Sequence, residues 1–150
     1  DSLDRFLSSI QPLASAKRLG PVLFQLPPNM KAAPDVLDNF LSLLPRTLRA
    51  AFEFRHKTWF EEEPISVLRK HDAALCVAET EEFITPEIHT APFVYYRFRC
   101  SEYSDEARQR LAERVQNSVA EGRDVFAFFK HEESPESPLW ATELLARVKP

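Results

Sequence analysis

Glycine is scarce in this chain, which has only two among its 150 residues. Gly20 and Gly122 are too far apart to form a G-x-G-x-x-G or Walker pattern, so the glycine-rich phosphate loops are excluded. Each lies between a helical pattern and the next apolar run, where the end of a helix favours a left-handed residue. We therefore expect both glycines to form turns between a helix and a strand.

Long apolar runs and excess positive charge are also missing. No stretch of about 18 apolar residues is present, so no membrane span is expected, and no signal peptide opens the chain. The net charge is −4, which disfavours nucleic acid as a partner. The cysteines, Cys76 and Cys100, form no Cys-x-x-Cys pair, and Cys76 falls in an apolar run. A soluble protein of a reducing cytoplasm, with Cys76 buried, is expected.

Helical patterns alternate with short apolar runs along the chain. The runs predict five strands, at 21–26, 50–55, 73–78, 93–98 and 125–129. The helical patterns cover 3–10, 34–44, 64–71, 105–121 and 138–148. Ser2 and Ser104 are candidate caps, and Pro12 is expected to open a second short helical piece. Residues 79–92 include two prolines and show little periodicity, so an irregular crossover is expected there.

This alternation of strands and helices predicts a parallel sheet with right-handed crossovers. Five strands could form an open doubly wound sheet, or they could be the latter part of an eight-stranded barrel, which typically needs about 250 residues. Composition alone does not decide between the two. Helix-like sequence starts directly at Asp1 rather than at a methionine, so a fragment that lacks an upstream part is expected.

The second strand carries charge next to aromatic residues. Side chains alternate along a strand, so Glu53 and Arg55 share one face and the intervening phenylalanines share the other. Buried charges are costly unless they are paired or used. His56, which titrates, and Trp59, a stacking surface, follow at once. Polar residues at the C-terminal end of a strand are typical of sites in α/β folds.

Three motifs identify a family. They are Leu-Gly-Pro-Val-Leu-Phe-Gln-Leu-Pro-Pro at 19–28, Phe-Glu-Phe-Arg-His at 52–56 with Trp59, and Ala-Leu-Cys-Val-Ala-Glu at 74–79. In order and spacing they resemble the YecE-like family, domain of unknown function 72, across nearly the whole chain. That family has a TIM-type barrel and no established reaction. The resemblance implies that residues 1–150 are a partial (β/α)8 barrel domain, covering roughly strands four to eight.

Four segments depart from the family pattern. Lys-Thr at 57–58 replaces Pro-Ser, and Glu79 replaces the usual Asp. Arg-Phe-Arg-Cys at 97–100 stands where the family has Arg-Leu-His-Gly, and Phe-Lys-His at 129–131 stands where it has Phe-Asn-Asn. The last two changes remove a histidine and two amides and add two cations. Any chemistry common to the family would therefore differ in this member.

Charged and amide side chains collect at the predicted C-terminal strand ends: Gln25, Glu53, Arg55, Glu79, Arg97, Arg99 and Lys130. In a barrel those ends converge on one mouth. The four cations outnumber the two carboxylates, and arginine forks fit carboxylate or phosphate groups. We therefore expect the mouth to bind a small anionic ligand through these cations, Gln25 and Trp59. The alternative is that Glu53 merely neutralises neighbouring arginines.

Whether the mouth is catalytic stays open. If it is, Glu53 and His56 are the expected acid/base pair, with Glu79 as a second acid. By fold-level analogy the reaction would be isomerisation or hydrolysis of a sugar-like or phosphorylated compound. These acids and His56 could also hold a divalent ion, but the adjacent arginines oppose it, so no metal and no cofactor are expected. The alternative class is a non-catalytic metabolite- or nucleic-acid-binding protein, with Trp59 stacking on bases. The oligomeric state is left open.

Overall fold

The computed structural model describes residues 2–130 and 135–148, and residue 131 of the Phe-Lys-His motif therefore lies outside the described residues. Its elements in chain order are α1 (Ser2–Ser15), β1 (Val22–Gln25), α2 (Pro34–Leu43), β2 (Ala50–Glu53), a 3-10 turn (Lys57–Phe60), α3 (Glu62–Lys70), β3 (Ala74–Glu79), β4 (Phe93–Phe98), α4 (Asp105–Ala120), β5 (Asp124–Phe129) and α5 (Ser137–Arg147).

All five strands pair in parallel, and their order in the sheet is their order in the sequence. The predicted α/β organisation with a parallel sheet is therefore confirmed. A doubly wound sheet reverses its strand order at a switch point, and the described sheet contains no such reversal. The described sheet is also not closed, because β1 and β5 form its two edges.

The two faces of the sheet have different neighbours. Phe52 and Leu75 pack with apolar residues of α2 and α3, and Tyr96 packs with residues of α4 and α5. The opposite face forms a separate cluster, which includes Cys76 and Tyr95 and contains no helix residue. The described helices thus contribute to the core on one side of the sheet only. We call the opposite side the inner face.

The first helix differs from the prediction. It runs without interruption over Ser2–Ser15 with Pro12 inside it, and Ser2 is its first residue rather than its cap. Proline in a helix removes one N–H donor and crowds the preceding turn, but here it does not end the helix. Phe6 of the same helix packs edge-on against Phe24 of β1, with ring centroids 6.5 Å apart. The expected break at Pro12 is therefore wrong.

Only one of the two glycines takes the expected conformation. Gly122 has φ +79° and donates its N–H to the Val119 carbonyl at 2.9 Å, closing the turn after α4. Gly20 is not in the left-handed region. The left-handed residue after α1 is Lys17, with φ +55°. Because Lys17 already turns the chain, the prediction of a left-handed Gly20 is wrong.

The crossover between β3 and β4 is irregular, as expected, and contains no helix among its residues 80–92. The Thr90 side chain forms hydrogen bonds that join the end of this crossover to the start of β3. The Thr90 Oγ1 accepts the Leu75 N–H at 2.9 Å and donates to the Ala73 carbonyl at 2.6 Å. A buried side chain thereby satisfies backbone groups that the sheet leaves unpaired at this point.

The two glycines give a matched test. Gly122→Ala should lower the free energy of unfolding by about 1 kcal/mol, because an L-residue is strained at positive φ. Gly20→Ala should leave stability unchanged or raise it by a few tenths of a kcal/mol, since a Cβ there meets nothing within 4 Å and reduces the freedom of the unfolded chain. Urea denaturation of both variants measures the difference. Equal effects would contradict the assignment of the two conformations.

Candidate functional site

A buried carboxylate lies on the inner face, at the C-terminal end of β2. Glu53 ends β2 and is 2% exposed. Its Oε2 accepts hydrogen bonds from Gln25 Nε2 at 3.0 Å and from Arg97 Nη1. Its Oε1 accepts from Arg55 Nε at 3.2 Å and Nη2 at 3.1 Å. Arg99 Nη1 lies 4.0 Å from the same oxygen. The four hydrogen bonds fill the acceptor capacity of the carboxylate.

Strand register explains why these side chains meet. Gln25 is the register partner of Glu53 on the neighbouring strand. Arg97 lies two strands away, on β4, beside Ala78 of β3. It can reach Glu53 only by passing over the inner face of β3. Ala78 and Cys76 are the buried residues there, and their small side chains leave room for the arginine.

The side chains of the cluster differ in how far they are exposed to solvent. The side chains of Glu53 and Arg97 are 2% and 9% exposed, whereas those of Arg55 and Arg99 are 40% and 32% exposed. One buried ion pair therefore lies beneath two guanidinium groups that reach solvent. Lys130 follows β5, and its backbone N–H donates to the Phe98 carbonyl at 2.9 Å. With one carboxylate among three guanidinium groups, the cluster carries excess positive charge.

Glu79 does not join this cluster. It alternates with Cys76 and Ala78, so it faces the helices rather than the inner face. Its Oε2 accepts from Arg114 Nη1 of α4 at 2.7 Å. The expectation that Glu79 shares a mouth with Glu53 is therefore wrong. Glu79 is an odd number of residues from Cys76 and Ala78, so it points to the opposite side of β3 from these inner-face residues.

Trp59 is also elsewhere. It is 1% exposed, its ring stacks on Phe54 with centroids 4.3 Å apart, and its Nε1 donates to the Met30 carbonyl at 2.9 Å. The ring belongs to the core between the sheet and the helices. The prediction that Trp59 contacts a ligand is not supported by this placement, since the ring is buried and its polar atom already has a partner within the chain.

His56 caps the 3-10 turn. Its Nδ1 accepts the Thr58 N–H at 3.3 Å and lies 3.0 Å from Thr58 Oγ1. A backbone N–H can only donate, so Nδ1 is the acceptor and the neutral ring carries its proton on Nε2. The three residues predicted as catalytic, Glu53, His56 and Glu79, thus contact different partners in different environments.

A second polar network, which the sequence reading missed, lies on the helix side. The Tyr96 hydroxyl donates to Glu87 Oε1 at 2.5 Å and lies 3.1 Å from Ser118 Oγ. Arg114 donates to Glu87 Oε2 at 2.7 Å and also binds Glu79, and its guanidinium lies 5.3 Å from the Tyr96 ring centroid. On α4 the alternating charges around Arg114 are typical of a solvated face. Instead, this arginine joins the helix to the crossover.

This network shifts the ionisation of its members. Burial disfavours the charged form of Glu87, but the Tyr96 hydrogen bond and the Arg114 charge outweigh it and hold the pKa of Glu87 below its ordinary value. Burial, followed by the bond to Glu87, raises the pKa of the Tyr96 phenol. Desolvation acts to lower the pKa of Arg114, yet Glu87 and Glu79 raise it.

Residues 2–130 and 135–148 contain neither a metal site nor a membrane-spanning helix. No group of three or more His, Cys, Asp and Glu side chains is arranged to hold a metal ion. In the same part of the chain, no helix has both the length and the apolar character needed to cross a membrane.

Comparison with known proteins relates the chain to one family. The model of the family described as "Protein of unknown function DUF72" matches residues 1–150. A DUF72 family protein from Thermotoga maritima superimposes with a TM-score of 0.84 at 24% identity, covering 95% of this chain and 63% of that one. One from Enterococcus faecalis gives 0.77 at 17%, covering 94% and 65%. No curated protein matches. The chain thus spans less than two thirds of these structures, and the likeness shows the fold alone.

Removing the charge of Glu53 should be costly. In Glu53→Gln the buried Arg97 guanidinium loses the buried carboxylate that pairs with it in the described part of the chain, so the free energy of unfolding should fall by about 3 kcal/mol or more. Glu62→Gln, which breaks the exposed Glu62–Arg69 pair, should change it by less than about 1 kcal/mol. Chemical denaturation at neutral pH measures both. A Glu53→Gln variant as stable as Glu62→Gln would contradict the burial of the pair.

The second network predicts a pH dependence. Because the pKa of Glu87 is lower when folded, its contribution is present above its ordinary pKa and is lost as pH falls through the lowered value. Tyr96→Phe should therefore cost about 1.5 to 3 kcal/mol at neutral pH, with a smaller cost at acidic pH. Tyr103→Phe removes a hydroxyl that accepts from the Cys100 N–H, and its cost should not depend on the charge of Glu87. Denaturation at about pH 7 and about pH 3 measures this, and a pH-independent Tyr96→Phe cost would contradict it.

Proposed function

Since the chain belongs to the DUF72 family, whose function is unknown, we propose a function from its own site: the inner face binds a small anionic ligand. The observation that supports this is the set of three guanidinium groups around one carboxylate. Arg97 is buried against Glu53, while Arg55 and Arg99 approach the same carboxylate oxygen and reach solvent.

The proposal includes the fold around the site. The described sheet would supply strands four to eight of a TIM-type (β/α)8 barrel, with the inner face as its lumen. Parallel strands in sequence order and helices on one side support this. The matched structures are longer than this chain, which covers 63% and 65% of them. In such a barrel the C-terminal strand ends form the binding mouth, and the arginine cluster lies at those ends.

Electrostatics favours an anion at this position. Like charges held together in a partly desolvated site repel, and a negative group between them removes that cost. Glu53, the carboxylate that the described residues bring to this cluster, already accepts four hydrogen bonds, so it has no further acceptor position for Arg99. Arg55 and Arg99 can each present further N–H donors to a ligand oxygen in the bidentate manner that arginine favours. A phosphate or carboxylate group fits this arrangement.

Binding is better supported than catalysis. Glu53 would have to break ion pairs before it could accept a proton, and the hydrogen bonds of His56 and Glu79 are made to Thr58 and Arg114. Isomerisation or hydrolysis of a sugar-like or phosphorylated compound stays a prediction. Nucleic-acid binding has less support than it had from the sequence, because Trp59 is buried and offers no surface for stacking on bases.

The anion site is tested with Arg99→Met. This variant keeps most of the stem but loses the charged donors, so the Kd for inorganic phosphate should rise about tenfold, the effect of losing a hydrogen bond to a charged group. Arg69→Met removes an arginine of similar exposure from the surface of α3 and should leave the Kd unchanged. Titration calorimetry at low salt measures both. Equal binding by wild type and Arg99→Met, or binding by neither, would show that the cluster is structural.

A further inference from the structure

We infer that the anion bound here carries a planar ring, which rests on Phe128 beside the arginine cluster. This inference rests on the proposed anion site and adds the chemical class of its ligand. Phe128 is on β5, where its register partner is Arg97, so the two are neighbours across adjacent strands. At 46% exposed it is a large apolar side chain facing solvent next to the excess positive charge.

The ring of Phe128 is held in place from one side. It stacks on Tyr95 with centroids 5.0 Å apart and an angle of 28° between the planes. Tyr95 itself is buried, and burial, followed by the nearby Cys76 thiol, raises the pKa of its phenol, so it stays neutral. A stacked, uncharged aromatic pair with one exposed ring offers an apolar, flat surface on which another ring can pack offset.

The distance from this surface to the free charge suits such a ligand. Arg99 is two residues beyond Arg97, immediately after the end of β4, and that separation corresponds to roughly 7 Å in an extended chain. A ring packed on Phe128 would therefore place a directly attached carboxylate or phosphate toward Arg99. Phe6 is also partly exposed, but it lies on α1, on the helix side of the sheet, where it packs against Phe24.

The remaining neighbours favour a ring over a hydroxyl-rich ligand. Beside the guanidinium groups the inner face exposes the ring of Phe128 and the Gln25 amide, whose Nε2 already donates to Glu53, while Cys76, Ala78 and Tyr95 are buried. Few neutral polar groups among the described residues are therefore free to bind sugar hydroxyls. Each buried hydroxyl without a partner lowers affinity. An aryl phosphate or aromatic carboxylate therefore fits this face better than a sugar phosphate does.

The test compares anions that differ only in the ring. Titration calorimetry on the full chain would measure phosphate against phenyl phosphate, and acetate, benzoate and cyclohexanecarboxylate in a second series. We expect the planar ring to tighten binding about tenfold over the bare anion, and benzoate to bind more tightly than the non-planar cyclohexanecarboxylate. Glucose 6-phosphate should bind no better than phosphate.

Substitution locates the ring. Phe128→Leu should keep phosphate binding and lose the advantage of phenyl phosphate, while Phe128→Tyr should retain it. Phe6→Leu is the matched control and should change neither Kd. If wild type binds phosphate and phenyl phosphate equally, the ring inference is overturned and the anion site stands. If it binds neither, both fall. If Phe128→Leu keeps the full advantage of the ring, the assignment to Phe128 is overturned.

Discussion

The burial of one carboxylate among arginines is the constraint on which the inner face depends. Glu53 is almost fully enclosed, so its charge must be satisfied by side chains from the strands around it, and Gln25, Arg55 and Arg97 do so. Because the arginine of β4 must cross β3 to reach β2, the strand between them carries small residues such as Ala78. The need to neutralise Glu53 thus limits the size of residues on β3, such as Ala78, that do not bind it.

On the helix side of the sheet, charged side chains again form structural hydrogen bonds, and there they hold the crossover between β3 and β4 in place. The crossover between β3 and β4 lacks a helix, so it has no apolar stripe with which to pack. Instead, Arg114 of α4 binds Glu79 at the end of β3 and Glu87 within the crossover. The Tyr96 hydroxyl of β4 also donates to Glu87. Charged hydrogen bonds therefore hold in place a segment that hydrophobic packing alone would leave loose.

Alternation along strands made most of the fold and the centre of the site predictable. The strand positions and the meeting of Glu53 with its arginines follow from parity and parallel register. The same parity places Glu79 on the helix side, which its position at a strand end does not reveal. Trp59 was not predictable, because contacts from distant segments decide whether such a residue lines a mouth or fills a core. The role of Arg114 was not predictable because one of its two acidic partners, Glu87, lies in a segment without periodicity.

The wide sequence separation of the ion pair has a consequence for how the fold forms and persists. Glu53 and Arg97 are 44 residues apart, and three strands must be aligned before they meet. The entropy of closing that loop is lost before the pair contributes anything. We therefore expect the pair to form late in folding and to act chiefly on the rate of unfolding. A residue buried to complete a charge cluster thus also sets how long the parallel strands stay paired before they spontaneously separate.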